Sequence, residues 1–145
     1  MKIYYLDTSA LVKLYHNEKG TEEVEKIFST QNASIIISEI AVVELYSALY
    51  RLNRMKEIPG NAVEASIRSF EDDCKYRFSI NSVGSDTINR AKKIIKRYGK
   101  DESIRTLDAI QLSVSLDHES AIIFVSADAV LNVIAEKEGL DTVVL

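Results

Sequence analysis

A single cysteine, Cys74, leaves the chain without an internal disulfide framework and suits a reducing cytoplasm. Long apolar runs are missing as well. The stretches at residues 35–37 and 121–125 fall far short of the roughly 20 apolar residues that cross a bilayer, so no membrane association is expected. Met1 and Lys2 lead into a strand-like segment without a small-residue cleavage site, so no secretory leader is expected. Positive charge is not in excess: 18 Lys and Arg against 22 Asp and Glu give a formal net charge of −4. That balance argues against indiscriminate binding of nucleic acid, although carboxylates that hold metal ions count as negative only until the ions bind. No repeat, linker or low-complexity segment interrupts the 145 residues, so one domain over residues 1–145 is expected. The 46% hydrophobic and 28% charged content is that of a globular chain.

What is present is an alternation of short apolar runs and longer helical periods. Residues 3–6, 34–38, 78–83, 121–125 and 142–145 read as strands, dominated by β-branched and aromatic residues. Residues 9–15, 21–29, 40–54, 61–76, 85–98, 104–117 and 129–137 read as helices. Thr21 reads as the N-cap of the second helix, and Pro59-Gly60 breaks the chain before the fourth. On the third helix, Ile40, Val43, Ser47 and Tyr50 share one face. Strands without polar alternation, separated by helices, predict an α/β fold with a mainly parallel central sheet covered on both faces, a three-layer α/β/α arrangement. In such sheets, sites form beyond the carboxyl ends of the strands. Two predicted strands end there within about two residues of an aspartate, Asp7 and Asp128.

Asp7 and Asp128 each precede a helix, so an N-cap role and a site role stand side by side. Glu44 and Asp108 differ, because their helical neighbours are mostly apolar or small. A carboxylate on such a face is costly to bury without compensation. No Lys or Arg sits at the helical spacing that would pair with Glu44, and Asp108 has only Arg105 at i−3. A cation could supply what the sequence does not. An oxygen-only set without His or Cys suits a hard ion such as Mg²⁺ or Mn²⁺. These ions cleave phosphodiesters by activating water and stabilising charge on the phosphate. Acids such as Glu22, Asp72 and Glu136 lie among polar neighbours and read as solvated faces.

Four segments carry a family resemblance. Residues 5–14 (YLDTSALVKL) resemble the opening motif of PIN-domain nucleases, in particular the VapC-type toxins of toxin–antitoxin pairs. Residues 38–45 (SEIAVVEL), 104–112 (IRTLDAIQL) and 124–131 (FVSADAVL) with Glu138-Gly139-Leu140 resemble the second, third and closing motifs, in the expected order. The resemblance implies a PIN-like fold with Asp7, Glu44, Asp108 and Asp128 as the acidic residues of a metal site. It places the hydroxyls of Thr8, Ser9 and Ser126 around that site. It further implies hydrolysis of an RNA phosphodiester to a 5′-phosphate and a 3′-hydroxyl, with Mg²⁺ or Mn²⁺ as cofactor. An antitoxin partner that places a basic side chain among the carboxylates, and a homodimer, come from the same resemblance.

Positive charge gathers in one segment, Arg90, Lys92, Lys93, Lys96, Arg97 and Lys100, and again at Arg51, Arg54 and Lys56. Both a solvated helix face and a phosphate-tracking surface fit; Lys92, Lys93, Lys96 and Arg97 are the candidates for RNA contact. Tyr46 and Tyr50 read as core or interface, His16 and His118 as bystanders, and Cys74 as a small hydrophobe. A haloacid-dehalogenase-type phosphatase is disfavoured because Ser9 stands where a second aspartate is expected, and a receiver domain because adjacent acids are lacking. A PIN-like module that binds RNA or protein without cutting, and a housekeeping RNA-processing nuclease, remain as alternatives. Clustered, mutually repelling carboxylates argue against the first.

Overall fold

Five parallel strands pair in the order β3-β2-β1-β4-β5. They are β1 (Lys2–Leu6), β2 (Ala33–Ser38), β3 (Phe78–Asn81), β4 (Ile123–Ser126) and β5 (Asp141–Val144) in the computed structural model, which describes residues 1–145. Parallel neighbours require crossover connections, and seven helices provide them. These are α1 (Thr8–Leu11), α2 (Thr21–Ser29), α3 (Glu39–Arg54), α4 (Gly60–Tyr76), α5 (Ser85–Tyr98), α6 (Thr106–Leu116) and α7 (Ala129–Lys137).

Strand side chains alternate between the two faces, and each face has its own core. Tyr4, Leu6, Ile35, Ile37, Phe78 and Val125 meet α1–α4 through Leu11, Val24, Leu45, Leu49, Ile67 and Phe70. Tyr5, Ile36 and Phe124 meet α5–α7 through Ile94, Leu112, Leu131 and Ile134. The sheet is thus sandwiched between two helical layers, as its apolar strands predict, and it is parallel throughout. No helix is long and apolar enough to cross a membrane.

The structure departs from the sequence expectation at several points. The predicted helix at residues 9–15 is one turn of α-helix followed by a 3-10 turn, Val12–Leu14. Its tightening places Lys13, 7% exposed, within 2.9 Å of Glu18. Gly20, in the left-handed region at φ 93°, occupies the cap position of α2. Thr21 stands inside the helix instead, its hydroxyl accepting from the Glu18 amide and donating to the Lys13 carbonyl. Helix α6 begins at Thr106, which puts Asp108 in its first turn.

The face of α3 expected from Ile40, Val43, Ser47 and Tyr50 points outward. Val43 is 68% exposed, whereas Ala41, Leu45 and Leu49 are buried. Ala41 lets the helix approach the sheet closely, and leucine at each following turn fills the core. Tyr50 is exposed, and Tyr46 packs edge-on against Phe70.

Candidate active site

The strand order reverses direction at β1, with β2 on one side and β4 on the other. At such a point the connections leave in opposite directions and open a crevice beyond the carboxyl ends of the strands. Asp7 follows β1 there, and Ala127-Asp128 follows β4. Both strand ends start a helix, and both aspartates cap it: Asp7 Oδ1 accepts from the Ala10 amide at 3.0 Å and Asp128 Oδ1 from the Leu131 amide at 3.0 Å. Capping and lining the crevice are therefore not alternatives here. Each aspartate does both, because a cap aims its carboxylate at the opening between strand and helix.

The crevice is a cleft of about 310 Å³ whose walls include Asp7, Glu44, Asp108 and Asp128. Four separate elements thus deliver all four acids expected from the sequence to one place. Thr8, Ser9, Gln111, Arg51 and Arg105 line it as well.

Asp7 is the most constrained member. It is 4% exposed, and Oδ1 also accepts from Ser9 Oγ at 2.6 Å, while Oδ2 accepts from Ser126 Oγ. Ser9 and Ser126 are held in turn by the amides of Ala127 and Asp128, which donate to their hydroxyl oxygens at 2.9 and 3.0 Å. Burial pushes the Asp7 carboxyl up to about 6, against the opposing pull of the Ser126, Ser9 and Ala10 donors, and nearby Asp108 adds to the rise.

The other three acids are half-buried, each with one oxygen engaged. Glu44 Oε1 accepts from Thr8 Oγ1 at 2.7 Å and Gln111 Nε2 at 3.1 Å. Asp108 Oδ2 accepts from Arg105 Nε at 3.0 Å. Glu44 Oε2, Asp108 Oδ1 and Asp128 Oδ2 have no protein donor. Of the four carboxylates only Asp108 has a cationic partner, and the side chain of Arg105 is 80% exposed. The sequence offered nothing to compensate Glu44; the fold supplies two neutral donors from α1 and α6 that no local pattern reveals.

A divalent cation fits this donor set. The groups are oxygens only, three oxygens are unclaimed, and a buried carboxylate lacks a counter-charge. No three His, Cys, Asp or Glu side chains are close enough together to enclose an ion, so the acids stand around the cleft rather than in a closed cage. Each is turned toward its own hydrogen-bond donor.

The sequence model of the PIN domain matches residues 4–137. The chain belongs to the PIN domain family. Solved structures share the PIN fold across nearly its full length. VapC20 of Mycobacterium tuberculosis, described as a toxin that cleaves the sarcin–ricin loop, superposes with a TM-score of 0.72 at 15% identity, covering 98% of this chain and 99% of that one. FitAcB of Neisseria gonorrhoeae gives 0.71 at 16%, with 96% and 95% covered. VapBC2 of Rickettsia felis, bound to a DNA fragment from its promoter, gives 0.70 at 16%, with 97% of each covered. A comparison with curated proteins returns no match.

In this PIN domain the basic segment of α5 does not line the acid cleft. Lys92 borders an apolar groove with Ile88, Ile95 and Ile110 that reaches Thr106 at the start of α6. Lys93 and Lys96 are exposed, and Arg97 donates to both oxygens of Glu138 at 2.7 Å. The cations at the cleft are instead Arg51, two turns beyond Glu44 on α3, and Arg105. Helical spacing signals Arg51: seven residues after Glu44, it lies on the same face two turns on. Asn132, unmarked by any motif, donates from Nδ2 to the carbonyls of Ser126 and Asp128 at 2.9 and 3.0 Å and braces the turn that carries both. Cys74 packs against the core, where burial pushes its thiol up to about 11, far from a nucleophile's range.

Proposed function

We propose that this chain is a metal-dependent endoribonuclease and the toxin component of a toxin–antitoxin pair, a single nuclease domain over residues 1–145 acting in the cytoplasm. One observation carries the reading: Asp7, Glu44, Asp108 and Asp128 share one cleft at the carboxyl edge of the sheet, with Asp7 buried and lacking a cationic partner. The full-length likeness to a toxin described as cleaving the sarcin–ricin loop supports it.

In this reading Asp7, Glu44 and Asp108, with Asp128, hold Mg²⁺ or Mn²⁺. When bound, the ion supplies an activated water for attack on the phosphorus and stabilises charge on the phosphate oxygens. The chain's own residues set the geometry. Three donors hold Asp7 against rotation. Thr8 and Gln111 engage one oxygen of Glu44, a residue that lines the cleft, and leave the other without a protein donor. Ser9 and Ser126 tie the turn after β4 to the turn after β1. Arg51 and Arg105 line the cleft where they can orient the phosphates on either side of the cut, and Lys92, Lys93 and Lys96, exposed on α5 outside the cleft lining, offer a separate contact for the RNA backbone. The products are a 5′-phosphate and a 3′-hydroxyl. An antitoxin that covers the cleft, and a homodimer, complete the assembly.

Incubation with total RNA, with and without Mg²⁺ or Mn²⁺, and mapping of the cut ends test the proposal. Cleavage should require the ion, stop on chelation, and be lost in Asp7→Asn and Asp108→Asn while both variants stay folded. Wild-type activity in either variant sinks the assignment. RNA binding without any cut would make the chain a non-cleaving module.

A further inference from the structure

We propose that Gln111 is a positioning residue for Glu44: its amide, clamped from behind by Tyr5 and Ser38, fixes which oxygen of Glu44 faces the cleft. The inference rests on reading the cleft as a metal-dependent nuclease site.

Gln111 lies one turn beyond Asp108 on α6 and is 2% exposed. A buried glutamine must satisfy an acceptor and two donors, and this one satisfies all of them. Its Oε1 accepts from Tyr5 Oη and from Ser38 Oγ at 3.2 Å; its Nε2 donates to Thr8 Oγ1 at 2.9 Å and Glu44 Oε1 at 3.1 Å.

The orientation is decided at both ends. Behind the amide, the Tyr5 ring is fully buried and stacked on Phe124 at 5.6 Å and 8°, and burial keeps its phenol protonated and therefore a donor. Ser38 Oγ accepts from the Ala41 amide at 3.1 Å, which turns its proton toward Gln111. In front, a reversed amide would set its oxygen against a carboxylate oxygen of Glu44. The Gln111 proton on Thr8 likewise directs the Thr8 hydroxyl to donate to Glu44 Oε1 at 2.7 Å.

Two donors therefore converge on Oε1, and Oε2 is left for the cleft. Glu44 projects from a helix whose adjacent Val43 is 68% exposed, so without these donors its long side chain would be free to leave the site. A glutamine that merely filled the core would have no reason to direct both its protons to one carboxylate and that carboxylate's hydroxyl partner. Partners of this kind orient a ligand and raise its effectiveness without touching the ion.

The test uses the full chain with Gln111→Met, which keeps length and approximate volume but neither donates nor accepts strongly. Mn²⁺ binding is measured by calorimetry, RNA cleavage as separate kcat and KM, and folding by melting. Gln111→Met should weaken Mn²⁺ binding and lower kcat by about tenfold each, with KM for RNA unchanged. In a Glu44→Ala background the same substitution should weaken Mn²⁺ binding no further, because the carboxylate it acts through is gone. Additive losses in the two backgrounds, or wild-type Mn²⁺ affinity in Gln111→Met, overturn the role. If Gln111→Met does not fold, Tyr5→Phe decides: it keeps the aromatic stack and removes only the donor behind the amide. A smaller loss of Mn²⁺ affinity that disappears in Glu44→Ala supports the role, and unchanged affinity overturns it. A wild-type chain that binds Mn²⁺ but cuts no RNA defeats the nuclease reading while the binding comparison still judges Gln111. One that binds no Mn²⁺ overturns both.

Discussion

Ser126 donates its hydroxyl to Asp7 Oδ2 across 119 positions of sequence, joining the ends of the neighbouring strands β1 and β4. The bond stabilises the ionised form of a carboxyl that burial has moved from 3.8 to about 6. Between these values the unfolded chain has released its proton and the folded chain has not, so metal-free stability falls as pH rises through this window and stays at the lower level above it. Asp7→Asn removes the titration. Metal-free, it should be more stable than the wild type at pH 7 by on the order of 2 kcal/mol, and the advantage should vanish near pH 4. Melting curves of both proteins from pH 4 to pH 8 in a chelator measure this; a constant difference across the range would be inconsistent with it.

Metal binding should release a proton from the same carboxyl near pH 6, because the ion holds the ionised form. Calorimetry of Mn²⁺ binding in buffers of different ionisation enthalpy counts that proton. Ser126→Ala, which removes a donor that favours the ionised form, should raise the pH at which binding becomes half-maximal.

The cations divide by place: Arg51 and Arg105 line the cleft, Arg105 with its Nε bonded to Asp108, whereas Arg97 lies outside it. Arg51→Ala or Arg105→Ala should each weaken RNA binding and reduce its salt slope by about one. Arg97→Ala should leave that slope unchanged, since its guanidinium is committed to Glu138. The triple replacement of Lys92, Lys93 and Lys96 with alanine tests the α5 surface, where a flatter salt dependence is expected. Filter binding at several salt concentrations of the metal-free protein separates these cases from effects on cleavage.

Asn132 holds the carbonyls of Ser126 and Asp128 while its own Oδ1 is buried without a partner. Asn132→Ala should cost about 1 kcal/mol of stability by removing two side-chain hydrogen bonds, since the Ser126 and Asp128 carbonyls keep the backbone amides of Leu145 and residue 132 as donors. It should also reduce cleavage more than Mn²⁺ binding, because the turn it braces carries Asp128 while Asp7 and Glu44 keep their donors. A melting temperature equal to the wild type would count against the bracing role.

The sequence made Asp7 and Asp128 legible for a local reason: an apolar strand that ends on an aspartate and turns into a helix has only one edge of a parallel sheet to occupy. Glu44 was legible from its own turn of helix, where apolar and small neighbours left the charge unexplained. Gln111 was not. It is uncharged, sits within an apolar stretch of α6, and its four partners lie 67 to 106 residues away. No helical or strand period connects them. The outward turn of Val43 was missed for a related reason, since two faces of α3 carry apolar residues and only the approach of Ala41 to the sheet decides between them. The split of the first helix accompanies the reach of the buried Lys13 to Glu18, a pairing that the apolar period of residues 9–15 does not signal.

The strand order has a consequence during synthesis. Strand β1 leaves the ribosome before β2, β3 and α1–α6, yet its β4 neighbour is completed only at Ser126, after all of them. Until then Asp7 lacks its Ser126 donor and the cleft lacks a wall. The long-range pairing that closes the sheet is also the slow kind to form. On the proposed reading, a cell translating this chain meets a finished cutting site only after Asp128 has been made, which leaves an interval in which an antitoxin already present can be waiting.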